Sequence, residues 1–106
     1  MSLSRDFRET VMEELREPEY RREFLREAIN ALLRDDLETA KPSLRAYING
    51  TMGFKQAGAD LGCSPKSLMR MLGPDGPPQA KNLLQLIAYL QKAEGSSWQI
   101  VETMTA

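Results

Sequence analysis

The chain has 106 residues, 42% hydrophobic and 27% charged, which is the length of one domain with one modest core and leaves no room for deeply buried machinery. Its formal net charge is −1, with one cysteine and no histidine, so an intramolecular disulfide is excluded and the commonest metal ligand and general base is missing. No apolar run approaches the ~20 residues of a membrane span, and the amino-terminal MSLSRDFRET has no apolar signal region, so a cytoplasmic protein without a membrane partner is expected.

Taken in order, Phe7, Val11 and Leu15 recur at helical spacing behind Ser4, which is placed to cap a first amphipathic helix running to Arg16. Glu17-Pro18 ends that helix and starts another, because proline disfavours a helical residue before it and suits the first turn after it. Tyr20, Phe24, Ala28 and Leu32 then form a stripe, widened by Leu25, Ile29 and Leu33. Asp35-Asp36 reads as a stop-and-cap pair leading into Leu37 to Gly50, with Leu37, Leu44, Tyr47 and Ile48 as core positions. Pro42 predicts a kink there or a start nearer Lys41. Asn49-Gly50 predicts a left-handed helix end.

Gly53 to Gly73, GFKQAGADLGCSPKSLMRMLG, reads as two short helices around a turn at Gly62, which is the helix-turn-helix pattern. Ser64-Pro65 supplies a cap and a favoured first helical residue for the second helix. At about 100° per residue, Leu68, Met71 and Leu72 share one face of it and Lys66 and Arg70 lie opposite, with Met69 at the boundary. Cys63 is expected to be a small buried thiol sealing the turn. Gly73 to Pro78 can hold no regular element. Gln79 to Ala93 follows as a helix on Leu83, Leu86, Ile87 and Leu90, and Glu94-Gly95 breaks it. Trp98 to Val101 has strand propensity but is a lone segment that needs something to pair with. An all-α bundle containing a helix-turn-helix is therefore expected, as a single domain: amino-terminal helices over 1–34, a helix-turn-helix core over 36–95, and a tail over 96–106.

Charge is segregated along this layout. Residues 1–38 carry seven cations and eleven anions, whereas residues 39–82 carry six cations and only Asp60 and Asp75. A basic middle can meet a polyanion while an acidic flank meets something basic. Arg or Lys on a helix in a DNA major groove can donate to guanine O6 and N7, and a serine hydroxyl can donate or accept, so Lys66, Ser67 and Arg70 are the candidate base contacts. Helix starts present free amides and partial positive charge to phosphate, which nominates Lys55, Gln56, Ser64, Gln79, Lys81 and Asn82. The plainer reading of all these residues is a solvated face and ordinary helix ends. Adjacent acids such as Glu13-Glu14 diverge around a helix and cannot converge on a metal. With no phosphate loop, zinc spacing or nucleophile-and-base pair, neither an enzyme nor a cofactor is expected.

From Arg5 to about Gly95 the chain resembles the probable addiction-module antidote proteins, HigA-like antitoxins with a helix-turn-helix of the Cro/repressor type. Arg5-Asp6-Phe7, Phe24 to Ala28, Gly53-Phe54, Asn82-Leu83 and Ile87 to Leu90 carry the resemblance, and the run Pro65 to Pro74 is its most specific part. It implies a bundle of about five helices that binds operator DNA through Pro65 to Leu72, represses its own operon and masks a RelE/ParE-like toxin. Ala57-Gly58 departs from the leucine-alanine usual in such motifs, and an interior glycine costs about 1 kcal/mol relative to alanine, so a loosely held first helix is expected. Two rivals remain open: a protein-binding module that kept the fold without binding DNA, and a solitary phage-type repressor. A homodimer on palindromic DNA is the expected assembly, with the acidic helices covering the toxin and Trp98 to Val101 contributing to the dimer.

Overall fold

Helix boundaries fall where the chain places its capping and breaking residues. The computed structural model describes residues 5–105, with side chains from residue 9. Six helices are found among them: α1 Arg5–Glu14, α2 Pro18–Leu33, α3 Leu37–Gly50, α4 Gly53–Leu61, α5 Pro65–Met71 and α6 Ala80–Ala93. Ser4 and the Phe7 side chain lie outside the described residues. Pro18 opens α2 at its first turn, as expected.

The turn between α2 and α3 closes on side chains that suit it. Asp35 adopts φ 60°, a left-handed conformation that aspartate tolerates better than most residues. The Asp36 amide then reaches Ala31 O at 2.8 Å and the Asp35 amide reaches Leu32 O at 3.0 Å, a Schellman closure of α2. Asp36 in turn caps α3 by accepting from the Thr39 amide at 3.2 Å.

That cap fixes the start of α3 at Leu37, so the helix is continuous through Pro42 and does not begin near Lys41. Gly50 is also not the left-handed residue that was expected; a Cβ there would come within 2.4 Å of the Leu15 side chain. The missing side chain makes room for Leu15, which is 1% exposed.

Helix α3 is the centre of the bundle, packed against α1, α2 and α4, and α4 carries α5 and α6. Leu44, Tyr47 and Ile48 of α3 are buried with Leu25 and Ala28 of α2, Phe54 and Ala57 of α4, Leu68 of α5, and Leu86 and Leu90 of α6. Each fully buried leucine contributes roughly 1.5–3 kcal/mol. The stripe on α2 is centred on Leu25, Ala28 and Ala31, and Leu33, expected within it, is 61% exposed.

At one corner the start of α2, the end of α3 and the end of α6 meet on a single carboxylate. Glu94 Oε1 accepts from Arg21 Nε and from the Tyr47 hydroxyl. The side chain is 3% exposed, and Oε2 is buried without a partner. Arg21 also donates to Leu15 O at 3.3 Å, tying in the turn after α1. Burial first, and then the bond to Glu94, raises the Tyr47 phenol above its ordinary pKa. Beyond Glu94, Gly95 closes α6 with φ 70°. No strand forms among the described residues, and Trp98 to Val101 is irregular. Trp98 nevertheless packs against the core, and its amide donates to Gln91 Oε1 at 3.0 Å.

Candidate nucleic-acid interface

The helix-turn-helix is built on two glycines with different jobs. Gly62 takes φ 75° and ends α4, a left-handed turn open to glycine at no steric cost. Gly58 is the close approach: a Cβ there would lie 2.7 Å from Cys63 O and 3.2 Å from Pro65 N. Its own carbonyl accepts from the Cys63 amide at 2.9 Å. Glycine at 58 therefore lets α5 fold tightly onto α4, and with Ala57 fully buried the expectation of a loosely held α4 is corrected. Cys63 is corrected as well. Its side chain is exposed, and the backbone, not the thiol, seals the turn.

Helix α5 starts as expected. Ser64 Oγ accepts from the Ser67 amide at 3.0 Å and donates to Ser67 Oγ at 2.9 Å. Leu68 and Leu72 bury one face at 3% and 1% exposure, while Lys66, Ser67, Met69 and Arg70 are exposed. Lys55, Lys66, Arg70 and Lys81 make no ion pair among the described residues. Their charges are available to a partner.

A groove of about 380 Å³ separates the exposed side of α5 from the start of α6, and Ser67, Arg70, Gln79 and Asn82 all line it. Residues nominated separately, as base and as phosphate contacts, thus share one surface. The Gln79 side chain makes no capping bond, so it leaves the first-turn amides of α6 uncapped. Ser64 is less open, since its hydroxyl is committed to the cap. Lys55, Gln56 and Lys81 are exposed on α4 and α6 but do not line the groove. Gln56 spans one turn of its own helix, donating to Asp60 Oδ1 at 2.7 Å.

Two positioning contacts were not foreseen. Lys41, counted above with the basic middle, donates to Gly73 O at 3.0 Å and Gly76 O at 2.5 Å, pinning the loop between α5 and α6 to α3. No sequence spacing links positions so far apart. Tyr89 donates to Asp60 Oδ2 at 2.6 Å, joining α6 to α4. Burial, then this bond, pushes its phenol up to about 12. A tyrosine at the edge of the α6 apolar stripe does call for a polar partner, which was the available signal. No family model matches the chain, and comparison with curated proteins and with solved structures finds no match.

Proposed function

We propose that this chain is a DNA-binding repressor of the antitoxin type, placing α5 in the major groove of an operator and neutralising a small basic toxin of the RelE/ParE-like group. The observation that carries the DNA reading is the groove between α5 and α6, where Ser67, Arg70, Gln79 and Asn82 converge beside the unpaired Lys66. A helix set on a tight turn, with cations outward and the next helix offering amides, has what is needed to read bases while phosphates fix its register. Gly58 also removes one support for a degenerate helix-turn-helix, because the residue that looked like a weakness is the one the close approach requires.

In this reading Lys66, Ser67 and Arg70 contact bases, and Lys55, Gln56, Gln79, Lys81 and Asn82 contact phosphates, with Ser64 the least available of the phosphate contacts because its hydroxyl is used in the cap. The protein acts as a cytoplasmic homodimer, and a two-fold arrangement sets the two α5 helices about 34 Å apart on a palindrome. No helix among the described residues is long and apolar enough to cross a membrane. The toxin-masking part rests on the exposed acids of α1 and α2, among them Glu9, Glu13, Glu19 and Glu27.

A mobility shift on the DNA upstream of the reading frame, together with co-purification of the product of the adjacent gene, tests both parts. Retarded DNA and a bound basic partner are expected. Reversing Glu9 and Glu13 to lysine should release the partner while leaving the shift intact. Retention of the partner by that variant would separate the acidic helices from toxin binding.

A further inference from the structure

We propose that the groove between α1 and α3 receives the carboxy-terminal tail of a second copy of this chain, in an exchange that builds the dimer. The groove has a volume of about 790 Å³, with Val11, Met12, Leu37, Pro42, Ala46 and Leu72 along it. Met12 is 45% exposed. The tail has the matching deficit. Past Trp98 it runs free of the body, and Ile100, Val101 and Met104 are 80%, 80% and 85% exposed. Three large apolar side chains within five residues need cover, and the groove supplies it.

Charge and length agree with this pairing. Arg45 lines the groove and has no ion-pair or hydrogen-bond partner among the described residues. Glu102 lies between the apolar residues of the tail. An extended stretch from Ile100 to Met104 covers about 13 Å at ~3.3 Å per residue, which fits within the groove. The α3 side of the groove, Leu37 to Asn49, spans about 18 Å at 1.5 Å per residue.

The end of α6, from which the tail departs, is fixed on the side of α3 away from the groove. It is anchored through Glu94, which is bonded to Tyr47, and Tyr47 lies about 170° around α3 from the mean direction of Glu38, Pro42, Arg45 and Asn49. The body of the helix stands between that anchor and the groove of the same chain, and the tail is assigned to the groove of a neighbouring molecule. This concerns the dimer of the proposed function, but its test is made without DNA, so the two can fail separately.

Sedimentation of the full chain should show a dimer. Arg45→Glu and Glu102→Arg should each raise its dissociation constant about tenfold, and the double reversal should restore it to within about threefold. In a Cys63→Ser background carrying Ala46→Cys and Val101→Cys, oxidation should give a covalent dimer. An internally linked monomer, no cross-link, or a dimer indifferent to both reversals would overturn the proposal. Circular dichroism of each variant shows that it is folded.

Discussion

Gly58 shows how a single residue can reverse an inference drawn from propensity. In an exposed helix interior, replacing glycine by alanine stabilises by about 1 kcal/mol. Here the added methyl meets Cys63 O at 2.7 Å, and overpacking of that kind typically costs 1–3 kcal/mol. Gly58→Ala is accordingly expected to lower stability by about 1–2 kcal/mol in denaturant unfolding. Ser64→Ala should cost about 1 kcal/mol through loss of the cap on α5. Because Ser67 keeps its position on a shorter-lived helix, DNA affinity should fall less for Ser64→Ala than for Arg70→Ala.

At the scale of elements, the junctions between helices explain what the sequence made legible. Every helix was foreseeable from apolar spacing and from local punctuation at Pro18, Asp36, Gly62, Ser64 and Gly95, because those signals act over one turn. The apolar and exposed faces of α5 followed from the same arithmetic. What could not be read depends on contacts between distant segments: Lys41 on the loop after α5, Glu94 shared by Arg21 and Tyr47, and the space for Leu15 above Gly50. The start of α3 and the conformation of Gly50 have the same origin, since a firm cap at Asp36 excluded the start nearer Lys41 and a close neighbour at Leu15 outweighed the local preference at Gly50.

The Glu94 junction and the Tyr89 link make these elements testable. Glu94→Ala would leave the Tyr47 hydroxyl without its acceptor and Arg21 unpaired, and a loss of about 2–3 kcal/mol is expected from thermal unfolding. For Tyr89, a folded pKa raised to about 12 from the ordinary 10.0 means that the phenol holds its proton more tightly in the folded state. Its contribution is complete below pH 10 and is lost as pH rises through about 12. Tyr89→Phe should therefore be less stable than the parent chain at neutral pH, and the gap should close across that alkaline window.

For the whole molecule, the bundle separates two surfaces of different character. The acidic exposed faces of α1 and α2 belong to the amino-terminal part, and the cationic face of α5 with the start of α6 belongs to the other. The core joins them through α3, so under the proposed function a partner on the acidic helices and DNA on α5 would share one bundle. The tail exchange would add the two-fold symmetry that a palindromic operator needs.

The central claim is that α5 reads DNA, and its most direct test is the fluorescence anisotropy of a labelled duplex from the upstream region, titrated at several salt concentrations. Arg70→Ala is expected to lose roughly 1–3 kcal/mol of discrimination between this duplex and a scrambled one. Lys81→Ala should weaken both duplexes alike and flatten the salt dependence by about one counterion. Equal affinity of the parent chain for the two duplexes, or an Arg70→Ala protein that discriminates as well as its parent, would contradict the account.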